Sequence, residues 1–202
     1  MIDILVVLED NHGSLHRMSK EAVAGAQKMG GTVTALAIGG NAEALAGELS
    51  DIDLTEVITV NHGLVSSYNA DGYSEVVKQV IESESYLSIV AGHTYQTRDY
   101  MPRLSAKLGV PFIPDIISFD ADGFVKQVLN AKLNAIVSTS VETFILSFQS
   151  AAFSDEDLIP GSCASRPFEV NLDASMVRSE TEEPFQEDAG DVDLESAELI
   201  IS

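Results

Sequence analysis

"AGHTYQTRDYMPRLSAKLGVPFIPD", Ala91–Asp115, follows the apolar run Tyr86–Val90 and leads into another, Phe112–Phe119. Both flanking runs are short and carry β-branched residues, whereas the middle is polar and ends at Gly109, a common stop residue for a helix. The passage therefore reads strand, helix, strand. Such a unit builds a parallel sheet with a right-handed crossover. The spacing predicts a helix from about Arg98 to Leu108, capped by Thr94 or Thr97, with His93 at the surface. Pro102 would then fall in the first turn, where its missing N–H is tolerated. Arg103 lies one turn beyond Asp99 and can pair with it. Arg98 is harder to place, because a cation at the positive end of a helix gains nothing locally. It calls for a partner or an ion pair.

Working outward, Ile2–Leu8, Thr32–Ile38, Val57–Val60 and Leu87–Ala91 are further short apolar runs that do not alternate. Strands buried on both faces read this way. Helical patterns separate them: Ser14 to Lys28, with Ser14 as cap and Leu15, Met18, Ala22, Ala26 and Met29 on one face; Ala42–Leu49, capped by Asn41; and Ser74 to about Ser83, with Val76, Val77, Val80 and Ile81 inward. The second half changes character. Phe112–Phe119, Gly123–Leu129, Asn134–Ser140 and Thr143–Gln149 read as strands, with Asp122-Gly123 a hairpin signal. Phe168–Leu172 reads as a late edge strand. The fold class is α/β: a Rossmann-like, doubly wound, mostly parallel sheet with helices on both faces, finishing in antiparallel strands or a hairpin. Residues 1–178 form the domain.

Eleven basic residues face 32 acidic ones, a net charge of −21. That excludes phosphate-backbone recognition of nucleic acid, which needs basic patches. Nine of the acids fall between Glu180 and Glu198 with no base among them, so residues 179–193 read as a solvated acidic linker. No apolar run approaches a membrane span. Met1 is followed at once by Ile2–Leu8, so the reading expects no signal or transit peptide and a cytoplasmic setting in a bacterial or archaeal host. Cys163 stands alone, and His12, His16, His62 and His93 lack ligand spacing, so neither a disulfide nor a metal centre is expected.

Catalytic candidates are thin. Gly39-Gly40-Asn41 resembles a phosphate cradle but lacks the Gly-x-Gly-x-x-Gly pattern, and a plain turn is the better reading. Gly92-His93-Thr94 leaves a strand at its carboxyl end, where ligands gather in open α/β sheets. Glu9, Asp10 and Glu21 are expected to be solvated, and no nucleophile has a recognisable partner.

At "TYQTRDYMPRLSAKLGVPFIPDI" the chain resembles the N-terminal region of the α subunit of electron transfer flavoproteins. Arg98, Asp99, Pro102, Arg103, Ala106, Leu108 and Asp115 match that family's Gly-Arg-Asp-x-x-Pro-Arg pattern and the strand after it. Thr97 stands where the family has glycine, and Pro114 where it has a small residue. "FVKQVLNAKLNAIVS" is similar to a second motif, with Leu129-Asn130-Ala131 at its Tyr-Ala-Gly step. "VDLESAELIIS" is similar to the first strand of the flavin domain, which places residues 194–202 at the start of a domain absent from this sequence.

The resemblance implies a non-enzymatic electron carrier subunit that docks on a β subunit. The complete heterodimer would hold FAD and pass electrons from acyl-CoA or other dehydrogenases to a membrane quinone oxidoreductase, as in fatty acid oxidation. No cofactor contact is expected in this chain. Thr94, Arg98, Asp99, Pro102, Arg103 and Asp115 would form a structural and subunit-facing motif. The alternative is a free-standing nucleotide-binding module using Gly92–Thr94.

Overall fold

The computed structural model describes residues 3–179. In chain order these form β1 (Asp3–Val7), a small hairpin of β2 (Asp10–Asn11) and β3 (Ser14–Leu15), α1 (Arg17–Met29), β4 (Thr32–Ile38), α2 (Ala42–Gly47), β5 (Glu56–Val60), α3 (Ala70–Glu84), β6 (Ser88–Gly92) and α4 (Tyr95–Leu108). Then follow β7 (Phe112–Asp120), β8 (Gly123–Val128), β9 (Leu133–Val137), β10 (Phe144–Phe148) and β11 (Ser165–Pro167).

Nine strands make one sheet in the order β11-β5-β4-β1-β6-β10-β7-β8-β9. The pairs from β11 through β7 are parallel, and β7–β8 and β8–β9 are antiparallel. Alternate residues of the central strands feed two cores. Ile4, Val6 and Leu8 pack with α1 and α2 through Ala22, Val23, Ala26, Leu45 and Leu49. Leu5, Val7 and Ile89 pack with α3 and α4 through Val76, Val80, Tyr100 and Leu104. Helices thus cover both faces, as expected for a doubly wound sheet.

The structure corrects several local expectations. The first helix is capped by His16, whose Nδ1 accepts from the Met18 amide at 3.1 Å, while Ser14 lies in the hairpin. Asn41 makes no cap bond; its amide donates to Asp10 Oδ2 instead. The third helix begins at Ala70, capped by Asn69 through the Gly72 amide.

Two strand expectations also change. Thr143–Gln149 is no outer antiparallel strand: β10 inserts between β6 and β7, parallel to both. The edge strand is Ser165–Pro167, not Phe168–Leu172. Phe168, Val170 and Leu172 instead lay side chains on the α3–α4 core, while Gln79 holds the Asn171 backbone at both its amide and its carbonyl. The expected linker beyond Ser179 and the expected strand at 194–202 lie outside the described residues.

Candidate functional site

Beside β1 the sheet reverses its direction of winding: β4 lies on one side and β6 on the other. The helix that follows β1 covers one face and the helix that follows β6 covers the opposite face. The carboxyl ends of two such strands necessarily leave a crevice, the usual ligand position in open α/β sheets. Here it is a cleft of about 720 Å³ whose walls include Glu9, His16, Arg17, His93, Thr94, Tyr95 and Arg98.

The quoted turn forms one wall. Helix α4 starts at Tyr95, three residues before the expected start, because Thr94 Oγ1 accepts the Thr97 amide at 3.1 Å. Thr94 also donates its hydroxyl to the Glu9 carboxylate across the cleft. Glu9 is therefore engaged rather than solvated, and burial raises its pKa against the lowering pull of Thr94 and His16. Glu21 is buried too: it pairs with Arg17 and accepts the Ala151 amide at 2.9 Å. Both correct the expectation of solvated carboxylates. Asp10 accepts the Gly13 amide at 2.7 Å.

With the earlier start, Pro102 lies inside the helix rather than in its first turn. It offers no N–H to the Arg98 carbonyl, and the helix continues because Tyr100, Met101 and Leu104 are buried beneath it. Asp99 and Arg103 do meet, at 3.3 Å. Arg103 also reaches Asp71 Oδ1 at 3.2 Å, and the Tyr68 hydroxyl donates to Asp99 at 2.9 Å. Arg98 takes no part in this network. It is exposed, has no carboxylate partner among the described residues, and lies 5.5 Å from the centre of the Tyr95 ring, itself 89% exposed.

His93 departs from expectation as well. Its side chain is 19% exposed, and its Nδ1 lies 2.8 Å from Ser147 Oγ, with Nε2 4.0 Å from Asp115. Burial lowers its pKa, helped by Arg98 and Lys126 and opposed by Asp115. A serine, a histidine and an aspartate in contact suggest a nucleophilic triad, but Ser147 is fully buried and its hydroxyl also receives the Asp115 amide at 3.2 Å. The trio instead holds a bulge. Pairing of β10 with β7 shifts between Leu146 and Phe148, and Asp115 adopts a left-handed φ of 65° to absorb the extra residue. Asp115 thus sets the register that aims His93, and Lys126 fixes the neighbouring Pro114 carbonyl at 2.9 Å.

Of the six motif residues, Thr94 and Arg98 line the cleft. Arg103 ties α4 to α3 through Asp71 and also pairs with Asp99, Pro102 lies within α4, and Asp115 shapes the bulge. Gly92 permits the whole approach, since a Cβ there would stand 2.7 Å from Met18 Cβ. Sequence reasoning missed Ser147 and the cap at His16, and it named Glu9 only as a solvated carboxylate. The partners of Glu9 and Ser147 lie on other elements, so spacing carries no trace of them; for His16, its position just before an apolar-periodic run was the available signal. Among the described residues no group of three His, Cys, Asp or Glu is placed to hold a metal ion, and no helix is long and apolar enough to cross a membrane.

A switch-point cleft on a doubly wound sheet defines a class of α/β domain shared by many functions, and comparison with known proteins narrows it. Residues 4–171 match the model of the electron transfer flavoprotein domain, so the chain belongs to that family. It is 28% identical to the electron transfer flavoprotein subunit alpha of Bacillus subtilis (strain 168), over 98% of this chain and 63% of that protein. The corresponding protein of Thermoanaerobacterium thermosaccharolyticum is 25% identical over 99% of this chain and 64% of its own length. The probable mitochondrial α subunit of Schizosaccharomyces pombe is 28% identical over 74% and 45%. The chain therefore corresponds to the N-terminal domain of an α subunit and spans less than two thirds of the length of these relatives.

Proposed function

We propose that this chain is the structural and β-subunit-docking part of an FAD-containing heterodimer that carries electrons from dehydrogenases, acyl-CoA dehydrogenases among them, to a membrane quinone oxidoreductase. The observation that carries this reading is the family match over residues 4–171. The names of its relatives support it, including an acryloyl-CoA reductase electron transfer subunit beta. In this reading the chain performs no catalysis. FAD is held by the share of an α subunit that these residues do not span, together with the partner. Thr94, Arg98, Asp99, Pro102, Arg103 and Asp115 act as a motif that shapes and presents the start of α4. Arg98 and Tyr95 are the residues to meet a partner: both are exposed, and Tyr and Arg are enriched at the energetic centres of interfaces.

The test is co-purification with an electron transfer flavoprotein β subunit, followed by thermal melts of Arg98→Ala and Arg103→Ala with and without it. Arg98→Ala is expected to weaken association and leave the melt of the free chain unchanged, whereas Arg103→Ala lowers the melt of the free chain. No complex with the β subunit, or equal behaviour of Arg98→Ala in both conditions, refutes the docking role. An absorbance spectrum after dialysis tests the placement of FAD, with a colourless chain expected and one equivalent of flavin contradicting it.

A further inference from the structure

We propose that the cleft between the starts of α1 and α4 binds a small phosphate-bearing metabolite, with Arg98 as its main anion contact and Tyr95 as an aromatic wall.

The argument begins with where the scarce cations go. Arg17, Lys20, Lys28, Lys78, Arg103, Lys107, Arg166 and Arg178 are each held by a carboxylate of the chain. Lys126 donates to the Pro114 carbonyl, and Lys132 lies in the turn between β8 and β9. Arg98 lines the cleft and has no carboxylate partner among the described residues. In a chain of net charge −21 an uncommitted guanidinium would readily find an internal acid. It lies 5.5 Å from the centre of the Tyr95 ring, and no hydrogen bond from its guanidinium to the described residues is formed.

The rest of the cavity is consistent with an oxyanion. Arg17 forms the opposite wall and shares its guanidinium between Glu21 and Ser150. Both helix starts carry partial positive charge, with the Met18 and Thr97 amides already taken by the His16 and Thr94 caps. Donors on two facing walls suit a tetrahedral phosphate, which presents oxygens in several directions, better than a flat carboxylate. The volume, about 720 Å³, leaves room beyond a phosphate for the organic part of a metabolite, for which the exposed Tyr95 ring offers a stacking surface. Glu9 is the only carboxylate lining the cleft among the described residues. It opposes a bound anion, and that gives the proposal a second, oppositely signed test.

The experiment is isothermal titration of the 202-residue chain, without any β subunit, so that its failure is separate from failure of the docking reading. AMP, pyrophosphate and adenosine are the probes. AMP or pyrophosphate is expected to bind at one site with a Kd below about 1 mM. Arg98→Ala should weaken binding about tenfold, which corresponds to one lost charged contact. Glu9→Gln, which keeps an acceptor for Thr94 but removes the charge, should tighten it by about threefold or more. Lys132→Ala should change nothing. AMP binding more tightly than pyrophosphate assigns a nucleoside to the Tyr95 wall; equal binding assigns the phosphate alone. The proposal is overturned by absence of binding, by adenosine binding as well as AMP, by Arg98→Ala binding normally while still folded by circular dichroism, or by Lys132→Ala weakening binding as much as Arg98→Ala.

Discussion

Gly92→Ala is the most direct probe of how the cleft is built. Gly92 ends β6, where the strand runs against the first turn of α1. An added Cβ would lie 2.7 Å from Met18 Cβ and 3.0 Å from the Met18 carbonyl oxygen, both far inside ordinary contact. Neither atom can swing away by a rotamer change, so α1 must shift as a unit. Overpacking of this kind costs about 1–3 kcal/mol. Against it stands the smaller unfolded-state entropy of alanine, worth about 0.4–1 kcal/mol where the backbone suits it. The backbone does suit it, because Gly92 has no left-handed φ. The net expectation is a loss of about 0–2.6 kcal/mol, or a Tm lower by up to roughly 10 °C for a chain of this size. Gly47→Ala is the control: it sits at the end of α2 with nothing within 4 Å of an added Cβ, so only the favourable term remains. Urea unfolding followed by circular dichroism measures both. If Gly92→Ala were as stable as Gly47→Ala, close approach of β6 and α1 would not be what requires glycine there.

Three further outcomes follow from single groups. Ser88 is fully buried in β6 and its hydroxyl has no hydrogen-bond partner among the described residues, so Ser88→Ala should stabilise the fold by about 1 kcal/mol in the same assay; a loss of stability would mean that the hydroxyl has a partner. Ala131 adopts a φ of 60° at the step where the resembled motif carries glycine, and Ala131→Gly should raise stability by about 0.5–1 kcal/mol, against a fall if the turn is unstrained. Burial depresses the pKa of His93 in the folded state, so the unfolded chain binds its proton first. The His93 contribution to stability is therefore full above its unfolded pKa of about 6.5 and falls as pH drops through that value toward the folded one. The stability difference between His93→Gln and the parent chain, measured at about pH 5.5 and pH 7.5, should shrink at the lower pH; a constant difference would remove His93 from the pH response.

The parallel half of the fold was legible because strands buried on both faces leave uninterrupted β-branched runs, and Thr32–Ile38 appears in the structure with the expected limits. Helix starts were less legible. Pro102 pulled the expected start of α4 to Arg98, since isolated propensity places a proline in a first turn. Burial of Tyr100, Met101 and Leu104 outweighs that preference. His16 caps with a ring nitrogen, a role that residue type does not announce. Phe168, Val170 and Leu172 alternate as a strand does, yet they bury side chains on the core while the pairing falls three residues earlier. The site was half visible. Arg98 could be singled out by what its position fails to reward, but Glu9 lies 85 residues from Thr94, and Ser147 lies 54 from His93. Contacts over such distances leave no local pattern.

The insertion of β10 between β6 and β7 also governs how the chain can assemble. Without β10 the sheet separates into two pieces, β11-β5-β4-β1-β6 and β7-β8-β9, with no strand pairing between them. The second piece is a local meander that can form early, because its pairings join neighbours in sequence. The first can consolidate around β1 and its helices. The two become one sheet only when residues 144–148 enter a slot edged by β6 and β7, and the same step brings Ser147 against His93. Joining the halves and seating Ser147 against His93 are thus expected as a single late event. Pulsed hydrogen exchange should find the amides of β6 and β7 gaining protection together with those of β10, after the meander itself is protected.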